Sequence, residues 1–316
     1  MGGHQSKRLR HAEGVTAPCQ SPLVPVQCPP SPARRGREAQ GLHVVGTSAG
    51  ADLLSRLRGN IEQRPIVDPG LAGGLREWLE DGASEALRSA GEPGERVVVG
   101  RWSQREYVDP LGVREVTSPY VRAALVGALF RQVVTSGRID NPMDDAMSAL
   151  AVDGRGARIS EFMVRLGAAE RAKLIGEVVD HAEVLVATWP ALPPAWLPRT
   201  SERRSVPLAG GHILLSGLVD LALGAPARNR ASVCLVDVRS GERRTEHSPE
   251  LHFLGLLETV SAGAPPFRLA TYYTSTGELD VEDVDDQLLA VAAENAVDAV
   301  HRAVSNSTAG PTAAAA

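Results

Sequence analysis

Two apolar runs, each carrying an aspartate near its end, constrain this chain more than any other feature. The first is HILLSGLVDLALG (212–224) and the second SVCLVDVRSG (232–241), with APARNRA between them. Apolar and β-branched runs separated by a short Ala/Pro/Arg/Asn segment predict two strands joined as a hairpin. Asp220 and Asp237 then lie on neighbouring strands. Two carboxylates at the edge of a core repel one another unless a positive charge stands between them. A divalent cation is the usual solution, since Mg²⁺ takes one or two carboxylates together with phosphate oxygens.

The chain around the hairpin reads as helices and strands with clear punctuation. Residues 51–59 and 68–91 predict helices, the second with Asp68 as N-cap, Pro69 at its first position and Trp78 as a core anchor. Residues 95–101 predict a strand. The aromatic and charged stretch after it (Arg101, Trp102, Arg105, Tyr107) is either a nucleic-acid surface, by stacking plus charge, or a linking loop with packed aromatics. Residues 118–137 predict a helix capped by Ser118 and closed by Gly137. A connector with a short helix at 142–151 follows, and then a long helix at 160–190. Glu177 and His181, four residues apart, share one face of that helix. They offer a metal ligand or base toward the sheet, or else form a surface pair. A strand at 203–208 precedes the hairpin. A helix at 248–263 with Ser248 as N-cap, a strand at 265–277 and an acidic-fronted helix at 281–305 follow it.

Composition removes several classes. No run of about 18 apolar residues predicts a membrane span, and the basic N-terminus lacks the apolar segment of a secretory signal. A cytoplasmic protein is expected. Cys19, Cys28 and Cys234 are too few and too widely spaced for a disulfide framework or a metal cluster. The net charge of −5, from 33 basic and 38 acidic residues, argues against a protein coated in positive charge, though not against a local basic groove. Residues 1–47, rich in Pro, Gly and Arg, read as a disordered tail, as do residues 306–316. Between the tails, residues 48–116 read as an N-terminal helical region with a strand, and residues 117–305 as the main domain.

From residue 160 onward the expected order is helix, three strands, helix, strand, helix. With Gly217-Leu-Val-Asp220, then Asp237-Val-Arg239-Ser240-Gly241, then Glu250-Leu251-His252-Phe253-Leu254, this order resembles the PD-(D/E)XK nuclease superfamily and its RecB-like exonuclease branch. The resemblance covers roughly residues 117–280. It implies an α/β (α+β) fold of restriction-endonuclease type, with an αβββαβ core and a central mixed sheet flanked by helices. It also implies a Mg²⁺- or Mn²⁺-dependent deoxyribonuclease acting in DNA repair or recombination, with no iron–sulfur cluster. Asp220, Asp237 and the backbone carbonyl of Val238 would hold the metal, with Glu177 or His181 completing its shell. Arg239 would neutralise charge on phosphorus, Glu250 would take the place of the family's Gln, and Arg243, Arg244 and Ser240 would meet phosphates. With no GxxxxGK[ST] in the chain, a helicase or ATPase partner would be a separate subunit. Besides Glu250 for the glutamine, two further positions depart from the pattern. The family's lysine is Arg239, a group too weakly acidic to serve as a base, and its tyrosine is Leu254. The alternative is therefore a nuclease-fold protein without catalysis, a nucleic-acid-binding or assembly module. A helical regulatory protein whose hairpin only completes a core is the third reading.

Overall fold

The computed structural model describes residues 42–43, 47–91, 95–101 and 116–308. The helices are α1 (Ser48–Arg58), α2 (Leu71–Ala90), α3 (Ser118–Ser136), α4 (Pro142–Val152), α5 (Gly156–Arg165), α6 (Ala168–Thr188), α7 (His247–Ala262) and α8 (Asp286–Thr308). The strands are β1 (Leu42–His43), β2 (Val97–Gly100), β3 (Arg138–Ile139), β4 (Arg199–Leu208), β5 (Ile213–Leu223), β6 (Cys234–Arg239), β7 (Arg268–Tyr273) and β8 (Glu278–Asp283). The Trp102–Tyr107 stretch, Cys19 and Cys28, most of the N-terminal tail and residues 309–316 lie outside the described residues.

The fold is mixed α/β. A six-stranded sheet runs β2-β5-β6-β7-β8, with β4 paired to β5. β2 is parallel to β5 and β6 to β7, while the other pairs are antiparallel. Helices cover both faces. On one face, α1, α3, α4 and α6 pack around Phe130, Trp189 and Tyr272, with Trp189 edge-on to both other rings at 4.7 and 4.8 Å. On the other, α2, α7 and α8 meet through Leu and Ala side chains. Residues 39–316 form one compact unit. The N-terminal helical region and the main domain therefore share one sheet and one core, because β2 supplies a strand alongside β5.

Local signals explain most boundaries. Thr117, one residue ahead of the expected Ser118, caps α3 by accepting from Tyr120 N, and Gly137 closes the helix in the left-handed region. Asp68 turns the chain by accepting from Gly70 N at 2.8 Å, and α2 starts at Leu71. The long helix expected at 160–190 is two helices, because the chain turns extended at Leu166 and Gly167. The last helix is preceded by an additional strand, β8, which pairs with β7. α7 begins at His247, and Ser248, expected as its cap, instead bonds to His252. Trp78, expected in the core, is an exposed residue of α2. Helical spacing puts the indole on one face with the leucines, but spacing does not say which stripe of a helix finds a partner.

Sheet pairing leaves one gap. β4 pairs with β5 from Ala222 to Ile213, skipping only Ser201 and Asp220. On the opposite edge, β2 pairs with Ile213–Ser216 and β6 with Leu221–Leu223. Residues 217–220 of β5 are therefore unpaired on that edge. The C-terminal ends of β2 and β6 enter this gap from opposite directions, since one strand is parallel to β5 and the other antiparallel.

Candidate functional site

The gap is where the charged residues gather. Asp220 faces Asp237 in the register set by Leu221 opposite Val236. The ladder stops at this point, and the Asp220 carboxylate takes over as acceptor: its Oδ2 receives Val238 N–H at 2.9 Å. Strand alternation also slips here. Ile213, Leu215 and Val219 of β5 belong to the α7 side of the core, and Leu221 and Leu223 to the other side. The β4 residue skipped by the ladder at the slip is Ser201, whose φ is 56°. A non-glycine residue held in the left-handed region costs on the order of 1 kcal/mol or more.

Gly217 has a packing reason. A Cβ there would lie 2.4 Å from Leu254 Cδ2 and 3.1 Å from Leu257 Cδ1 of α7. Its absence brings α7 down onto β5 and delivers Glu250 to the strand ends. Leu254, standing where the resembling pattern has a tyrosine, packs against this glycine rather than facing the charged groups.

Asp237 is fully buried, and both of its oxygens are held by arginine. Arg101 Nη1, one residue beyond β2, donates to Oδ1 at 2.5 Å. Arg239 Nε donates to Oδ2, and Arg239 Nη2 donates to Glu250 Oε2 at 2.7 Å. Glu250 is also fully buried, and Arg239 nearly so. Three carboxylates thus surround two guanidiniums. Burial pushes the Asp220 carboxyl up to about 6, and the charge of Asp237 adds to the shift. Burial also works against the charge of Asp237, but Arg101 and Arg239 outweigh it and hold that carboxyl below its ordinary range. Burial likewise opposes the Arg101 charge, and Asp237, Asp220 and Glu250 together more than offset it. One cluster therefore contains one carboxyl easily protonated and one locked as an anion, the split expected of two adjoining acids served unequally by cations.

The remaining expected site residues divide. Asp220, Asp237, Val238, Arg239 and Glu250 are brought together. Glu177 is turned to Arg122 at 2.9 Å and to Lys173 at 3.9 Å. His181 is buried on α6, its Nδ1 3.0 Å from Thr274 Oγ1, and burial holds its pKa below the ordinary value, so the imidazole is neutral at pH 7. Thr274 spans the two regions, since its N–H and Oγ1 both donate to the Arg239 carbonyl at 2.9 and 3.0 Å. Ser240 is half-buried just past β6, and Arg244 is exposed. Arg243 pairs with Asp280 at 2.6 Å and Glu278 at 3.7 Å.

A divalent ion needs carboxylate oxygens free to bind it. Asp220 and Asp237 meet as a pair should, but the oxygens of Asp237 are engaged by two guanidiniums, and Glu177 and His181 serve other partners. Among the described residues no three His, Cys, Asp or Glu side chains form a group able to hold one ion. These residues, as arranged, do not fit a metal centre; they fit a carboxylate cluster neutralised by arginine. Arg101 is the unexpected member, since the stretch it opens reads in the sequence as either a nucleic-acid surface or a linking loop. Its contact with Asp237 spans most of the sheet's sequence length, and only the parallel pairing of β2 with β5 creates it.

No family model matches the chain, and no curated protein matches it. Among solved structures, one described as "Crystal structure of SSO0001" aligns over 70% of this chain and 84% of its own, at 10% identity and a TM-score of 0.26, a likeness too loose to carry an argument. No helix among the described residues is long and apolar enough to cross a membrane.

Proposed function

We propose that this chain is a protein of the PD-(D/E)XK nuclease type whose hydrolytic site is closed by arginine, and that it binds nucleic acid without cleaving it. One observation supports this above the others: Arg101 and Arg239 engage both oxygens of buried Asp237, and Arg239 also binds buried Glu250. In the motif that the sequence resembles, a lysine stands at Arg239 and the carboxylates are left for a metal. A guanidinium is broad, planar and permanently charged, and it satisfies two carboxylates at once. It therefore supplies the positive charge the acids require and removes the need for an ion.

The reading is tested with purified full-length chain on labelled single- and double-stranded DNA, with Mg²⁺ or Mn²⁺. Binding without cleavage is expected from the wild type, and Mn²⁺-dependent cleavage from Arg239→Lys combined with Arg101→Ala. Cleavage by the wild type that is abolished by Asp237→Ala would overturn the proposal.

A specific observation favours a second reading, an active metal-dependent deoxyribonuclease. Asp237, Asp220 and Glu250 all act on Arg101 electrostatically. That side chain comes from the end of a strand rather than from the motif itself, and its departure would free Asp237 Oδ1 while Arg239 stays on Oδ2 and on Glu250. Metal-dependent cleavage by the wild type selects this reading.

A further inference from the structure

A second site lies at the other end of the β5–β6 hairpin. Two adjoining cavities of about 600 and 290 Å³ share Arg58, Ile61 and Trp196 in their walls. They open between the C-terminal end of α1, the segment at 59–64 and the Pro-rich connector before β4. The smaller one reaches Arg64 and Phe267. Together they fall within the size of small-ligand sites.

The walls carry more positive charge than their neighbours neutralise. Arg64 Cζ sits 3.8 Å over the Phe267 ring, its Nη2 donates to the Arg58 carbonyl at 2.9 Å, and its Nε is buried without a partner. Arg268 Cζ lies 5.7 Å from the Phe267 ring centre, and the side chain donates to the Arg56 carbonyl. Gly59 makes room for it: its φ is 56°, and a Cβ there would lie 2.8 Å from Arg268 Nη1. Arg230 spends Nη1 on the carbonyls of Ile61, Glu62 and Arg64. Asp283 pairs with Arg268, and Glu62 is exposed at the rim. Arg58 and Arg64 form no ion pair among the described residues. Burial, and then the charges of Arg268 and Arg58 against the raising effect of Cys234, leave Arg64 below its ordinary pKa. An anion would relieve this crowding.

Backbone hydrogen bonds hold the walls of the cleft together. Val67 N bonds to the Asn229 carbonyl, Ala231 N to the Pro65 carbonyl and Gly224 N to the Trp196 carbonyl. These bonds tie the arginine segment and the tryptophan turn to the hairpin. Trp196 is half-buried, and Pro193 and Ile61 lie beside it in the cavity wall. A half-buried indole in the wall next to guanidiniums without ion pairs matches a ligand with a flat aromatic part and an attached anion.

We propose that this cleft binds a nucleotide unit, its base stacked on Trp196 and its phosphate held by Arg58 and Arg64. The inference rests on the nucleic-acid reading above for the class of partner, and it concerns different residues. A strand of nucleic acid and a free nucleotide share this chemistry.

The test titrates full-length chain with a fluorescein-labelled oligothymidylate of about ten nucleotides and, separately, with dTMP, at two salt concentrations near 0.1 M. Trp196→Ala should weaken binding by about 5- to 100-fold, the range for loss of one stacked base. Arg58→Glu, at an exposed position, should weaken binding and flatten its salt dependence by about one charge. Trp196→Phe should restore most of the affinity, which separates stacking from a folding defect. An oligonucleotide that binds at least about tenfold tighter than dTMP assigns the cleft to strands, and equal affinity assigns it to free nucleotides; both uphold the site. It is overturned if neither ligand binds, if the two variants bind like the wild type, or if polyglutamate displaces the oligonucleotide as well as unlabelled DNA does. Failure of the closed-site reading would show as wild-type cleavage in a separate assay, leaving this affinity unaffected.

Discussion

Removing the Arg239 charge should expose how much the carboxylate–arginine cluster depends on it. Arg239→Met keeps most of the side-chain volume and deletes two charge-assisted hydrogen bonds, one to Asp237 and one to Glu250. Both acceptors are fully buried. Breaking a buried ion pair from one side costs about 3–5 kcal/mol, because the abandoned charge stays desolvated. Asp237 keeps Arg101 at 2.5 Å, which places the loss at the lower end, about 3 kcal/mol. Urea unfolding at pH 7 and 25 °C reads it as a fall in the transition midpoint of about 1 M, given a slope near 3 kcal/mol/M for a chain of this size. Two further arms identify the cause. Acidification should narrow the deficit, since a protonated carboxyl needs no counter-charge. Millimolar Mn²⁺ should stabilise the variant and leave the wild type unchanged, by about 1.4 kcal/mol at a tenfold excess over its dissociation constant. A loss under about 1 kcal/mol would refute the reasoning, because Arg239 would then behave like a surface pair rather than as the internal cation of the site. A full-sized loss that neither acid nor Mn²⁺ relieves would point to packing.

Asp220→Asn should stabilise the protein at pH 8 and be neutral near pH 4. The wild-type carboxyl titrates at about 6 when folded and near 3.8 when unfolded, so its contribution is fully present below the unfolded value and lost as pH rises through the folded one. Urea midpoints at the two pH values check this, and a variant equally stable relative to wild type at both would contradict it. Gly217→Ala should cost about 1–3 kcal/mol through overpacking against Leu254 and Leu257, and the companion change Leu254→Ala should recover part of it in a double-mutant cycle. Thr274→Val removes the hydroxyl that joins His181 to the Arg239 carbonyl. About 1–2 kcal/mol should be lost, and the His181 ring resonances should shift in NMR spectra; unchanged resonances would show that the contact is absent in solution.

The hairpin, the helices around it and the meeting of Asp220 with Asp237 were legible because each follows from local pattern. Apolar runs with β-branched residues make strands, caps and prolines mark helix ends, and a short loop fixes antiparallel register. Glu250 was legible too, since a helix directly after β6 must return along the sheet, and Gly217 lets it lie close. The split of residues 156–188 into two helices was not, because an extended Leu166–Gly167 step is set by what each helix packs against. Trp78 shows the same limit: helical spacing gives a face but not its neighbour.

Local pattern accounts for the members of the cluster: two aspartates on paired strands, an arginine where the resembling motif has lysine, and a glutamate on the helix that follows. The balance of charge among them comes from the three-dimensional fold. Arg101 lies far from this motif in the chain, on a strand that parallel pairing brings alongside β5, and no local pattern announces a parallel partner. Its arrival gives Asp237 a second guanidinium, while Glu177 and His181 turn to Arg122 and Thr274. Electrostatic energy depends on distance through space, and the fold sets that distance.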